Sequence, residues 1–267
     1  MGLNGLRERI KGKCQRTLAV SLCRRPVKMQ NKVPLISFTF DDFPRSALEI
    51  GGKILREHGV AGTYYVSLGL LDRDESVGRI CSALHIREVL AQGHELGCHT
   101  FGHCDPWETE PNAFEKSIME NRSALDVLLS GKRFKTLSYP ISTTPRPITK
   151  RKMGQYFSCC RTGGQCGNFG TVDLNYVRAF FIEQSRDNPI EIWNVIESNK
   201  AEMGWLVFAT HDVTDRPTRF GCTPQLLEEV VCRALQSGAQ ILPVGQALRQ
   251  VCGEETENLP VDELENR

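Results

Sequence analysis

Four times along the chain a strand-like run breaks off at or beside residues suited to chemistry. Leu35–Phe40 stops at Asp41 and Asp42, the run at 96–98 at His99, the run at 134–139 at Pro140, and Trp205–Thr210 at His211. The first and last of these are apolar enough to read as buried strands that end in loops, and the other two are shorter strand candidates. Helical patterns alternate with them. One covers 46–57 with Ser46 as N-cap and Gly59 behind it, and another covers 85–92, closed by Gly93. A third covers 112–129, with Phe114, Ile118, Ala124, Val127 and Leu128 as its apolar stripe. Two more cover 189–203, with Pro189 in the first turn, and 223–235 before Gly238. Further strands are expected at 61–67, 156–160, 176–182 and 240–244. This alternation gives a mostly parallel sheet, either an open stack or a closed barrel. In a barrel the C-terminal strand ends share one face, where catalysis sits, and residues far apart in sequence converge there.

The 267 residues suffice for one large α/β domain with its own core. The net charge of +1 conceals an asymmetry. Residues 1–32 carry nine Lys/Arg against Glu8, and residues 253–267 carry six acids against Arg267. We therefore read 1–32 as a basic extension, 33–252 as the body and 253–267 as an acidic tail. The body gives no sign of nucleic-acid binding. The extension reads either as a solvated arm or as a helix around 6–18 touching an acidic membrane surface. No run approaches the length of a membrane span. Residues 17–23 are too short an apolar core for a secretory signal, and Gly2 lacks the Ser or Thr at position 6 that myristoylation requires. Eleven cysteines is an odd number in a chain too large to need staples, which favours reduced thiols and a cytoplasmic location. Oligomeric state is not legible.

His99 and His103, with three residues between them, would project from one side of a helical turn and could meet one cation. An aspartate from another strand would complete a set with an open position for water. The Asp41–Asp42 pair offers that carboxylate, although acids after a strand also cap helices. Cys98 and Cys104 flank the histidines, but Cys98 should point opposite to His99, into the core. Cys159, Cys160 and Cys166 lack zinc-site spacing and read as buried thiols. His58, His85 and His94 have no converging partners. Trp107 could stack on a sugar ring or simply pack.

Together these segments resemble the polysaccharide deacetylases of carbohydrate esterase family four. Phe38-Thr39-Phe40-Asp41-Asp42 is similar to the first motif of that family, and Gly93-His94-Glu95 through His99-Thr100-Phe101-Gly102-His103 to the second. Leu206-Val207-Phe208-Ala209-Thr210-His211-Asp212 is similar to the last, and the resemblance spans about 33–250. It implies a single-domain, distorted and incomplete parallel (β/α) barrel of seven strands. It further implies Asp41 as general base, Asp42, His99 and His103 as ligands of a divalent metal, and His211 as general acid. Zn²⁺ is the expected metal, with Co²⁺, Ni²⁺ and Mn²⁺ also compatible with the donor set. The resemblance also assigns the backbone N–H of Tyr139 to the oxyanion.

The chain departs from the family pattern in two places. Phe43 stands where many members have glycine, which should narrow or reshape the pocket. Ser138-Tyr139-Pro140-Ile141 lacks the customary arginine, leaving Arg161 or Arg178 to supply a guanidinium to Asp41. Asp173 is a candidate carboxylate for His211. The implied activity is hydrolysis of N-acetyl groups, with O-acetyl as the lesser expectation, on a saccharide or glycan precursor. Two competing readings are a related amidohydrolase for a linear or cyclic non-sugar amide, and a carbohydrate-binding protein with impaired catalysis.

Overall fold

Every residue of Leu35–Phe40 and of Trp205–Thr210 is buried, as continuous apolar strands covered on both faces require. The computed structural model describes residues 15–253. A helical stretch at 15–21 precedes β1 (Pro26–Lys28), β2 (Leu35–Phe40) and a π-helical turn (Ala47–Gly52) that runs into α1 (Lys53–Glu57). β3 (Thr63–Val66) leads to a small hairpin, β4 (Asp74–Glu75) and β5 (Gly78–Arg79), then α2 (Ala83–Ala91) and β6 (Glu95–Cys98). Next come α3 (Pro111–Leu128), β7 (Thr136–Ser138), α4 (Pro147–Tyr156), β8 (Cys159–Thr162) and β9 (Thr171–Asp173). The chain finishes with β10 (Val177–Arg178), β11 (Phe180–Phe181), α5 (Ile190–Ala201), β12 (Trp205–Thr210), α6 (Pro224–Gln236), β13 (Gln240–Ile241) and α7 (Val244–Cys252).

The main sheet runs β10-β8-β7-β6-β3-β2-β12-β11, and every pairing in it is parallel. Only Ala179 separates β10 from β11, yet β10 pairs with β8 and β11 with β12. One stretch of chain thus bridges the two ends of the sheet, half on each side, and completes a seven-stave (β/α) barrel. β13 pairs with Leu35 and Ile36 at the start of β2, whereas β3 pairs with Thr39 and Phe40 at its end. This short eighth strand takes the place of β3 beside the start of β2.

Strand alternation then decides which side chains meet. Ile36, Phe38 and Phe40 join the cluster containing Leu55, Leu227 and Val231 of the surrounding helices. Leu35 instead joins Cys159, Trp205 and Val207 inside the barrel, together with Val244 and Leu248 of α7. α7 lies across the N-terminal strand ends, where Val244 N–H donates to Thr63 Oγ1 at 2.9 Å. Counting by twos from Leu35, Cys159 and Trp205 places Asp41, Arg161 and His211 toward the interior at the opposite end. Gly97 is required here because a Cβ would lie 2.3 Å from the ring of Tyr65. That ring in turn supports Arg161 at 5.1 Å.

Several local expectations are corrected. Ser46 does not cap its helix; it is already helical, and its hydroxyl accepts from Val213 N–H at 3.3 Å. The strand expected at 156–160 begins only at Cys159, because α4 runs through Tyr156 and Phe157 caps it. Val127 is exposed, so the apolar stripe of α3 runs through Phe114, Ile118 and Leu125 instead. The described part of the basic segment is built onto the barrel: β1 pairs antiparallel with β9. Arg25 donates to the carbonyls of Gly154, Phe157 and Ser158. Residues 1–14, including most of the expected helix at 6–18, and residues 254–267 of the acidic tail lie outside the described residues. Among the described residues no helix is long and apolar enough to cross a membrane.

Candidate active site and metal centre

Asp42 follows β2 and His99 follows β6, so the barrel brings their side chains to one mouth. His99 Nε2 lies 3.5 Å and His103 Nε2 3.2 Å from Asp42 Oδ1. The segment from His99 to His103 is a bend, not the helical turn expected from the spacing. Thr100 (φ 61°) and His103 (φ 55°) adopt the left-handed region and turn the second imidazole back toward the first, and Asp42 is left-handed too (φ 59°). Non-glycine residues accept such backbone strain where surrounding structure enforces it, commonly at functional sites. Here Thr100 Oγ1 accepts from Cys104 N–H at 2.9 Å, and Ser117 Oγ of α3 accepts from Phe101 N–H at 3.0 Å.

His99 Nδ1–H donates to the carbonyl of Ser138 at 2.8 Å, which leaves the Nε2 lone pair facing Asp42. Burial pushes the His99 ring down to about 4, against the upward pull of Asp41 and Asp42, so the imidazole is neutral. Asp42 Oδ1 is buried and has no hydrogen-bond partner. One carboxylate oxygen and two imidazole nitrogens gathered at one point are a donor set that a divalent cation satisfies. Among the described residues no other cluster of three such ligands occurs.

Asp41 sits one residue earlier and is paired with Arg161, whose Nη2 donates to Asp41 Oδ1. The same Nη2 donates to Ser138 Oγ at 2.5 Å, and the guanidinium rests between the rings of Tyr65 (5.1 Å) and Phe181 (5.6 Å). Ser138 and Arg161 are register partners on β7 and β8. The arginine absent at 138 is thus supplied from the neighbouring strand. Burial pushes the Asp41 carboxyl up, but Arg161, His99 and His211 together outweigh it and bring it down to about 2. Arg178, the other candidate, is directed elsewhere, and its Nη1 meets Cys166 Sγ at 3.3 Å. Tyr139 is not a free oxyanion donor: its N–H donates to Arg161 O at 2.9 Å, and its ring is buried.

His211 lines the same mouth. Its Nδ1–H donates to the Phe220 carbonyl at 3.0 Å, and Glu183 Oε1 lies 3.9 Å from that nitrogen. Asp212 holds the loop carrying Phe220 by accepting from Thr218 N–H at 2.8 Å and Thr218 Oγ1–H at 2.6 Å. Burial pushes the Glu183 carboxyl up to about 8. Sequence reasoning missed Glu183, although it lies just past a predicted strand end, like the other site residues. Asp173, the carboxylate proposed for this role, is tied instead to Lys150 Nζ at 2.7 Å.

The remaining candidates fall outside the cluster. Phe43 packs its ring against Tyr64 at 4.8 Å and is fully buried, so it fills the core rather than narrowing the pocket. Cys98 is buried against Asn121, and Cys104 meets Ser117 Oγ at 3.4 Å. His94 is buried and accepts from Gly62 N–H at 3.0 Å. Trp107 lies beneath Arg16, at 5.3 Å.

Residues 28–155 match the family model described as polysaccharide deacetylase. No protein of curated function matches the sequence. The fold is similar to that of a family 4 carbohydrate esterase pseudoenzyme from Bacillus anthracis, with TM-score 0.59, 10% identity and 82% of this chain against 67% of that one. It is similar to the esterase domain of a multidomain xylanase from the hindgut metagenome of Trinervitermes trinervoides, with TM-score 0.58, 17% identity and coverages of 82% and 91%. It is also similar to a family 4 acetyl xylan esterase from Clostridium thermocellum in complex with a cobalt ion, with TM-score 0.55, 21% identity and coverages of 80% and 89%. Such identities establish a shared fold, and over residues 28–155, just under half of its length, the chain is similar to the polysaccharide deacetylase family.

Proposed function

We propose that the protein is a metal-dependent hydrolase that removes acetyl groups from a saccharide or glycan precursor, cleaving the C–N bond of an N-acetyl group. The observation that carries this reading is the convergence of the Asp42–His99–His103 acceptor set with two proton-handling residues, Asp41 and His211. Asp42, His99 and His103 would hold a divalent ion, Zn²⁺ or another metal suited to the set, which would supply Lewis acidity toward an acyl carbonyl and water.

The chain's own residues divide the remaining work. Asp41, ionised and fixed by Arg161, accepts the proton of the attacking water. His211 hands a proton to the departing sugar amine, its ring held by the Phe220 carbonyl. Arg161 compensates the buried charge of Asp41, since an isolated buried carboxylate is strongly disfavoured. One solved neighbour is a pseudoenzyme, and the missing arginine at 138 gave reason to expect the same here. Arg161 removes that reason. The thiol-rich composition favours a cytoplasmic site of action, and hence a small or membrane-attached glycan substrate.

The test is acetate release from N-acetylated oligosaccharides by purified protein, first after chelation and then after adding Zn²⁺ or Co²⁺. Metal-restored release is the expected result. Absence of release from every sugar, with metal bound, would overturn the saccharide assignment and favour a non-sugar amide.

A further inference from the structure

Away from the catalytic mouth, between the helical stretch at 15–21 and the loop at 166–170, lies a cleft of about 370 Å³. Ser21, Arg24, Phe169, Asp173, Tyr176 and Arg178 line it. Asp173 is the one carboxylate in this lining, and its oxygens are already engaged. Its Oδ1 accepts from the N–H groups of Arg25 (2.9 Å) and Asn175 (3.0 Å), and its Oδ2 accepts from the fully buried Lys150 Nζ at 2.7 Å. Arg24 reaches the same carboxylate only at 3.8 Å and keeps its side chain 48% exposed. The guanidinium of Arg178 donates to Cys166 Sγ at 3.3 Å. The Arg25 guanidinium behind them donates to three backbone carbonyls. The carboxylate is thus saturated by Lys150 and two backbone N–H groups, and Arg24 and Arg178 both line the cleft.

A planar guanidinium fork matches phosphate geometry, and two of them flanking a concave site favour a dianionic group over a monoanion. The cleft falls within the size range of small-molecule sites. One wall is prearranged: Tyr176 Oη is hydrogen-bonded with Thr144 Oγ1 at 2.9 Å, and Lys150 Nζ sits 5.1 Å from its ring centroid. We propose that this cleft binds a small phosphate monoester, with the phosphoryl group between Arg24 and Arg178 and the organic part against Tyr176 and Phe169. This site is separate from the deacetylase centre and does not depend on that reading.

The test is calorimetric titration of the full chain, chelated beforehand so that phosphate held at the metal centre does not contribute. The probes are glucosamine 6-phosphate, adenosine monophosphate, inorganic phosphate, unphosphorylated glucosamine and sulfate, at constant ionic strength. At least one ester should bind saturably and more tightly than sulfate. Arg24→Gln and Arg178→Gln should each weaken binding by about tenfold or more, as loss of a charge-assisted hydrogen bond implies. His103→Ala should leave it unchanged. Both arginines are partly or fully exposed, so their variants should retain the wild-type melting curve, which is checked in parallel. The proposal is overturned by the absence of saturable ester binding, by equal affinity for sulfate, or by unchanged affinity in both arginine variants.

Discussion

The Nδ1 of His211 lies 3.9 Å from Glu183 Oε1, yet its hydrogen bond goes to the Phe220 carbonyl at 3.0 Å. The carbonyl orients the ring, and Glu183 acts on it through charge. That charge depends on pH, because burial holds the carboxyl up at about 8. Below this value Glu183 is neutral and nearly isosteric with glutamine; above it, an anion faces the ring. Glu183→Gln should therefore reduce kcat little at pH 6 and by about tenfold at pH 9, the scale of a close charge contact in a partly shielded site. KM should not change. A ratio of wild-type to variant kcat that is flat from pH 6 to 9 would contradict this.

The division of labour between adjacent aspartates is separable by experiment. Asp42 faces His99 and His103, whereas Asp41 faces Arg161. Asp41→Asn should keep the metal and lose roughly 10²–10⁴-fold in kcat, the usual contribution of a positioned base. His103→Ala should weaken metal affinity by more than the roughly 10–100-fold that loss of an outer partner costs. Metal content after dialysis, measured beside acetate release, checks both; equal metal loss in the two variants would refute the separation.

The sequence disclosed the strands better than the contacts between them. Trp205–Thr210 is bounded as read, because a continuous apolar run has no competing period, and α3 falls within one residue of expectation at each end. α4 was missed because its sequence is mostly polar and its buried Lys150 is held by Asp173 and the Val20 carbonyl, partners that local pattern cannot reveal. Metal-ligand candidates were legible from residue type and strand position. The choice between Arg161 and Arg178 was not, since it depends on the β7–β8 register. Nor could sequence show that the Tyr139 N–H is consumed by that same ladder.

At the other end of the barrel, Glu95 accepts from Gly245 N–H at 2.9 and 3.2 Å and from Thr136 Oγ1 at 3.4 Å, tying α7 to β6 and β7. Burial pushes its carboxyl up from 4.5 to about 7 despite these bonds. As pH rises through this interval the unfolded chain releases the proton first, so the folded state loses relative stability between about 4.5 and 7. Glu95→Gln can keep both bonds, with its oxygen toward Gly245 and its amide toward Thr136. The variant should match wild type near pH 4 and melt higher by on the order of 5 °C at pH 8. Thermal melts at the two pH values decide it: a variant less stable than wild type at pH 8 would show that ionised Glu95 is the stabilising form.

Arg161 and Ser138 meet through a 2.5 Å hydrogen bond across adjacent strands, so the guanidinium could be delivered from either position. Arg161→Ser leaves the buried Asp41 without its counter-charge, which typically costs about 3–5 kcal/mol for a broken buried pair. The single variant should accordingly melt at lower temperature and lose most activity. Adding Ser138→Arg returns a guanidinium to the same pocket, between the rings of Tyr65 and Phe181. The double variant should recover at least about half of the lost stability, since the charge pair is restored while the packing of the longer side chain is altered. If the double variant is no more stable and no more active than Arg161→Ser alone, the requirement is for the β8 position itself, and the guanidinium is not interchangeable between the two strands.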